Sequence, residues 1–133
     1  MRNRNIKLEQ INDDYLKKKA ANINESDIDK VNKQADKIQQ KFNNRGPLSK
    51  FMAESKLLIG LIKDYSTNKY RDFPFWVIAV VCFTLLYVLN PIDIIPDVIP
   101  FAGQIDDAAV VGVCLYLIEK EIQSYKLWKY GEL

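Results

Sequence analysis

The sequence predicts an all-α protein, a small helical bundle with a central apolar helical hairpin that follows several amphipathic helices. Segments in the first half repeat apolar residues at the 3.6-residue spacing of a helix. Two apolar runs in the second half are bounded by residues that start and stop helices, and no stretch alternates apolar and polar residues as a half-exposed strand does. A turn rich in proline and aspartate separates these runs and would close the hairpin.

Residues 1–46 are predicted to form amphipathic, charged helices. An apolar stripe predicts a first helix within residues 1–19. Ser26, followed three residues later by Asp29, resembles a capping box and would start a second helix that ends before Gly46. The apolar face of this second helix would consist of Ile28, Val31, Ala35, Ile38 and Phe42.

A second unit, residues 47–128, is expected to hold the main helical domain, and residues 129–133 a short tail. It begins with another amphipathic helix and continues into residues 73–90, which contain no charged side chain. As a helix these 18 residues would be roughly 27 Å long, just under the ~30 Å hydrocarbon core of a bilayer. Few polar side chains interrupt the run, so the helix must be surrounded by either protein or lipid.

The second apolar run, residues 108–118, would be only roughly 16 Å long as a helix. It is too short to cross a bilayer unaided, so it would pair with the preceding helix as a hairpin. Lysine and arginine residues crowd both flanks of the apolar region, which by the positive-inside rule predicts cytoplasmic N and C termini. Phe73, Phe75, Trp76 and Trp128 are the predicted anchors at the membrane interface.

Charge and composition narrow the partners and exclude some chemistry. Residues 1–72 hold 16 Lys and Arg against 10 Asp and Glu, whereas residues 73–133 hold 3 against 7. The basic first half favours a lipid membrane with anionic headgroups over nucleic acid, because its lysines alternate with acids and match no nucleic-acid-binding motif. The sequence has no histidine, which excludes Ser-His-Asp triads and histidine zinc sites. Cys82 and Cys114 lie in apolar runs and are predicted to be buried.

The turn between the apolar runs carries a distinctive motif with a fixed spacing of prolines, aspartates and one glycine. Its residues are Asn90, Pro91, Asp93, Pro96, Asp97, Pro100, Gly103, Asp106 and Asp107. This pattern resembles the signature of the YkvA-like family, a bacterial domain of unknown function, and the resemblance covers residues 48–126. It implies a small helical, membrane-associated domain, with no established reaction or ligand.

The aspartates of the motif have two principal interpretations. Asp93, Asp97 and Asp106 would cap the short helices that the prolines begin and end, satisfying backbone N–H groups. Alternatively, Asp93, Asp97, Asp106 and Asp107 would bind a hard cation such as Mg²⁺ or Ca²⁺, since carboxylate and carbonyl oxygens suit these ions. A third interpretation, acid–base catalysis, lacks any other sign of a substrate cleft in the sequence.

Three functions follow from these patterns. The first is a non-enzymatic, membrane-associated helical protein, whose apolar hairpin could also mediate self-association or contact another protein. The second is a soluble helical-bundle interaction protein in which residues 73–90 form the core helix. The third is a divalent-cation-binding protein or metal-dependent enzyme that uses the aspartates.

Overall fold

Every regular element that the structure describes is a helix, which confirms the predicted all-α bundle. This computed structural model describes residues 13–43, 46–90 and 107–131. In chain order, the elements are α1 (Asp13–Ala20), α2 (Glu25–Lys33), α3 (Ala35–Asn43), a 3-10 helix (Pro47–Phe51), α4 (Met52–Ser66), α5 (Phe75–Leu89), α6 (Asp107–Leu117) and α7 (Glu119–Tyr130).

Helix α5 lies at the centre of the bundle. All its residues from 77 to 88 are buried, on every side of the helix. Helices α1, α2, α3, α4 and α6 all contact it. The sequence allowed this helix to be surrounded by either protein or lipid. In the structure, it is surrounded by protein.

The boundaries of α5 differ from the predicted span of residues 73–90. Pro74 precedes the first turn with an extended backbone (ψ 150°), and Asn90 leaves the helical conformation (φ −155°, ψ 82°). The helix is thus 15 residues long, about 22 Å at 1.5 Å per residue. Across the described ranges, the structure contains no helix with both the length and the apolar character that a membrane crossing requires.

The N-terminus of α2 corrects one prediction, because Asn24 and Asp27 form the capping box. Asn24 Oδ1 accepts hydrogen bonds from the backbone N–H groups of Ser26 (3.0 Å) and Asp27 (3.2 Å). Asp27 Oδ2 in turn accepts from the Asn24 N–H at 3.0 Å. The proposed Ser26–Asp29 box was wrong because Ser26 already lies inside the helix, where its hydroxyl donates to Asn24 Oδ1 at 2.7 Å.

Helices α2 and α3 replace the single helix that was expected here. They meet at Gln34, whose backbone (φ −102°, ψ 15°) departs from helical geometry. The predicted apolar face remains largely intact: Ile28, Val31, Ile38 and Phe42 are all buried, while Ala35 is half-buried. Two hydrogen bonds between side chains then join these helices to α4, Asn32 Nδ2 to Ser66 Oγ and Gln39 Nε2 to Ser55 Oγ, each at 2.9 Å.

The two apolar runs pack against each other as α5 and α6, as expected for the arms of a hairpin. Val110, Val111 and Cys114 of α6 belong to the same core cluster as α5. The proline and aspartate turn that would close this hairpin, residues 91–106, lies outside the described residues.

Candidate functional site: an aromatic and basic rim

Most of the predicted signature lies outside the residues that the structure describes. The undescribed members are Pro91, Asp93, Pro96, Asp97, Pro100, Gly103 and Asp106. Asn90 is exposed directly after α5, and its backbone N–H donates to the Leu86 carbonyl at 2.9 Å. Asp107 lies half-buried in the first turn of α6, where a carboxylate favours the positive end of the helix dipole.

The cation hypothesis depends on these aspartates. Among residues 13–43, 46–90 and 107–131, no three acidic or cysteine side chains come close enough to hold a metal ion together. Three of the four predicted ligands, Asp93, Asp97 and Asp106, lie outside those ranges. The predicted Mg²⁺ or Ca²⁺ site, like the capping interpretation of these three residues, stays a prediction.

The predicted interface anchors gather around the start of α5. Tyr70, which is buried in the loop before α5, is the centre of an aromatic cluster. The ring of Phe73 packs edge-on at 4.9 Å from its ring centroid, and the rings of Trp128 and Tyr125 lie at 4.8 and 5.5 Å. The structure therefore brings two predicted anchors together on Tyr70, although Phe73 precedes α5 in the chain and Trp128 lies far after it, in α7.

The cluster continues toward Phe75 through an arginine. The Arg71 guanidinium lies 4.1 Å above the Tyr65 ring, a cation–π contact, and Arg71 Nε donates to the Tyr65 carbonyl at 3.0 Å. The Tyr65 ring is 6.4 Å from that of Phe75, which remains 45% exposed. Because Arg71 directly follows Tyr70 in the chain, the backbone joins this second group of contacts to the cluster around Tyr70.

Trp76 extends the same surface toward α1. Its half-buried ring lies 4.7 Å from the ammonium group of Lys17. Together these residues form one surface, called here the rim and defined by Lys17, Arg71, Phe73, Phe75, Trp76, Trp128, Lys129 and Tyr130. On α7, Trp128 is 47% and Tyr130 57% exposed. Cationic groups therefore lie beside aromatic rings at this end of the bundle, and the acids Glu25 and Asp29 line the same cavity as Arg71 and Phe75.

A buried aspartate holds the rim in place. Asp64 Oδ2 accepts hydrogen bonds from Tyr125 Oη at 2.7 Å and from Lys129 Nζ at 2.9 Å. Its backbone carbonyl accepts from the N–H groups of Lys69 (2.8 Å) and Tyr70 (3.2 Å). Asp64 thus ties α4, the loop before α5 and the last turns of α7 to one point, and it fixes where Tyr70 lies.

These contacts shift the pKa values of Asp64 and Tyr125. Burial alone would raise the pKa of Asp64, but hydrogen bonds from Lys129 and Tyr125, with the positive charges of Lys129 and Lys69, lower it overall below the ordinary 3.8. Burial first, and then the Asp64 carboxylate, raise the pKa of Tyr125 far above its ordinary value of 10. Asp64 is therefore the acceptor and Tyr125 the donor throughout the neutral range.

Sequence reasoning missed the Asp64 centre, although one signal was present. Asp64 follows Leu61 by three residues and so falls on the apolar face of α4, where a carboxylate is costly unless it is paired. Its partners, Tyr125 and Lys129, lie more than sixty residues away in the chain. The pattern could reveal that a partner was needed, but not which residue supplied it.

Comparison with known proteins agrees with the resemblance seen in the turn. Residues 77–118 match the model of a family described as "Protein of unknown function (DUF1232)". The "Uncharacterized membrane protein YkvA" of Bacillus subtilis (strain 168) is 38% identical over 69 residues. This part of the chain is similar to the YkvA-like family. The aligned residues cover 52% of this chain and 65% of the relative, less than two thirds of its length, and no solved structure matches.

The segment matched by the family model begins directly after Trp76 and ends one residue after α6, so it includes most of the central helix and the turn. The rim lies outside that segment, on α1, in the residues just before the segment and on α7. Inside it, Cys82 and Cys114 are buried as predicted, and burial raises the pKa of each thiol to about 12. Both thiols are therefore protonated at neutral pH and supply no thiolate nucleophile.

Proposed function

We propose that this protein binds the surface of a membrane through the rim, as a non-enzymatic peripheral protein that keeps α5 inside its own core. The observation that carries the proposal is the exposure of three rings of the rim, Phe75, Trp128 and Tyr130, on a surface that also holds Arg71 and Lys129. Tryptophan and tyrosine rings favour the headgroup region of a bilayer, and neighbouring cations favour anionic lipids. This is the chemistry expected of an interfacial anchor.

Two further facts support a membrane role of this kind. The Bacillus subtilis relative is described as a membrane protein. The apolar surface of α5, which would face lipid in a spanning arrangement, is already covered by α1 to α4 and α6. Contact through a rim requires no rearrangement of this core, whereas insertion of α5 would require the surrounding helices to separate. The rim would contact the cytoplasmic leaflet, with both termini in the cytoplasm.

The burial of α5 also supports a second candidate, a soluble helical-bundle protein whose rim contacts another protein. Exposed aromatic side chains beside arginine are typical of protein interfaces as well. The third candidate, cation binding by the aspartates of the turn, depends on residues outside the described ranges and stays a prediction.

Vesicle flotation tests the first candidate directly. Wild-type protein should float with vesicles that contain anionic phospholipid, and more weakly with neutral vesicles. A Phe75→Ala/Trp128→Ala variant should bind about thirtyfold less tightly, because each of the two half-exposed rings contributes roughly 1 kcal/mol on burial. Met52→Ala is the matched control, since Met52 is 38% exposed but lies at the far end of α4 from Tyr65.

The control variant should bind vesicles as the wild type does. If Met52→Ala weakens binding as much as the double variant, the rim is not the contact surface. If wild-type protein binds neither kind of vesicle, membrane attachment is wrong and the rim becomes a candidate protein interface.

A further inference from the structure

Three lysines gather at the end of α5 that lies opposite the rim. Lys30 of α2 and Lys37 and Lys41 of α3 line an open cavity of about 580 Å³. Gln34 and Gln40 add amide groups to its wall, and Leu89 and Asn90 at the end of α5 complete it. This cavity is called here the lysine pocket.

The lysines converge because of their spacing and the turn between α2 and α3. Lys37 and Lys41 are four residues apart and share one side of α3, and Lys30 lies on α2 four residues before the turn at Gln34. The departure from helical geometry at Gln34 leaves both helices facing the same cavity. The neighbouring acid Asp29 lies in the wall of a different cavity, together with Arg71 and Phe75. No acid is among the described residues that line the lysine pocket.

The three ammonium groups have no acidic partner within the described ranges. The ion pair seen in the described residues joins Lys129 and Asp64, which lie at the other end of the bundle. Like charges that share one cavity repel one another, and a bound anion would remove that repulsion. The wall also offers amide N–H donors, so a ligand could receive hydrogen bonds as well as charge.

We propose that the lysine pocket binds a phosphate-bearing ligand with at least two negative charges. Lysine is a flexible point charge that suits phosphate oxygens. The cavity has room for more than a single phosphate group, which favours a diphosphate or larger anion. The same chemistry could come from a lipid headgroup or from a free phosphate compound.

The position of the pocket favours the free compound. The rim begins at Phe75 and the pocket ends at Asn90, so α5 separates them by about 22 Å. A protein held on a bilayer by the rim would therefore present the lysine pocket to the solution. The choice of a free compound rests on the membrane proposal, whereas anion binding by the pocket does not, because the pocket and the rim share no residue.

Calorimetric titration of the full chain with inorganic pyrophosphate at low salt tests the proposal. We expect saturable binding to the wild type and a loss of about tenfold or more in affinity for Lys30→Gln/Lys37→Gln. Lys33→Gln/Lys56→Gln is the matched control, since it removes the same charge from two exposed lysines outside the pocket. The control should stay within about twofold of the wild type. All four lysines are on the surface, so thermal melting should show each variant folded.

Absence of binding to the wild type at millimolar pyrophosphate, or an equal loss in the control, would overturn the proposal. Flotation with anionic vesicles distinguishes the two sources of phosphate. For a free ligand, Lys30→Gln/Lys37→Gln keeps its vesicle binding, and Phe75→Ala/Trp128→Ala keeps its pyrophosphate binding. If the lysine variant loses vesicle binding instead, the pocket holds a headgroup and its assignment to a free ligand is wrong.

Discussion

At the residue scale, the hydroxyl of Tyr125 on α7 lies close to Gly60 on α4. A Cβ atom added at Gly60 would lie 2.9 Å from Tyr125 Oη, and this hydroxyl is held by Asp64. We predict that Gly60→Ala destabilises the protein by about 1 kcal/mol. Displacement of a charge-assisted hydrogen bond costs about 1.5–3 kcal/mol, more than the roughly 1 kcal/mol that alanine gains over glycine in a helix. Urea unfolding measures the difference.

Two further variants distinguish the effect of this contact on stability from the higher helix propensity of alanine. In a Tyr125→Phe background, Gly60→Ala should become stabilising, because Tyr125 Oη is the atom that the new methyl group would meet. Gly112→Ala should stabilise the wild type by about 0.5–1 kcal/mol, since its Cβ would meet Phe51 at an ordinary 3.9 Å. A stabilising effect of Gly60→Ala in the wild type would contradict the contact.

The Asp64 centre gives a prediction about pH. Its pKa in the folded protein lies below the ordinary 3.8, so its stabilising contribution is present above that value and is lost as the pH falls through the folded pKa. Asp64→Asn should therefore lower the free energy of unfolding by about 1–3 kcal/mol at pH 7, and by less near pH 3. Urea unfolding at both pH values measures this difference.

Asp72→Asn, at an exposed carboxylate in the neighbouring loop, is the matched control and should change stability little at either pH. An effect of Asp64→Asn that is the same at both pH values would contradict the role assigned to the carboxylate charge.

At the scale of the element, the start of α2 depends on one side chain. Asn24→Ala removes the acceptor for two backbone N–H groups and should cost about 1 kcal/mol. Ser26→Ala removes a hydroxyl that donates to the same acceptor but leaves both backbone bonds in place, so it should cost much less. Thermal unfolding of the two variants checks the order, and the reverse order would restore the Ser26 cap that the sequence first indicated.

Most of the helices could be predicted from the sequence because they follow from local spacing, although the break between α2 and α3 at Gln34 was not predicted. Ile28, Val31, Ile38 and Phe42 mark the buried face of α2 and α3 by periodicity alone. The cap was misplaced by two residues because asparagine and serine are both good caps, and only the backbone conformation at Asn24 decides between them. Such choices depend on geometry that one-dimensional patterns do not contain.

The site could be predicted only in part. Aromatic composition marked Phe73 and Trp128 as surface anchors, yet their meeting on Tyr70 depends on the docking of α7. The Asp64 centre and the lysine pocket likewise join residues from separate elements, so no local spacing predicts them. Whether the rim anchors a membrane stays a prediction.

At the scale of the whole molecule, the environment of α5 depends on the helices before it. An apolar helix with no polar face suits lipid and a protein core equally, so its own sequence cannot distinguish them. In the structure, α1, α2 and α3 cover sides of α5 that α4 and α6 leave open. Residues 13–43 thus belong to the core packing, although they lie outside the segment that matches the family model.

Removal of residues 1–46 should therefore expose α5. We expect residues 47–133 alone to bind a hydrophobic dye, to aggregate and to lose the sharp unfolding transition of the full chain, because large apolar surfaces on a soluble protein promote association. In the full chain, Ile38→Asp should act in the same direction, since Ile38 is fully buried, whereas Lys37→Gln at the exposed neighbouring position should not. Dye fluorescence and urea unfolding measure both effects. If residues 47–133 unfold cooperatively at the midpoint of the full chain and bind no dye, α5 does not need the preceding helices and its burial by them contributes little to stability.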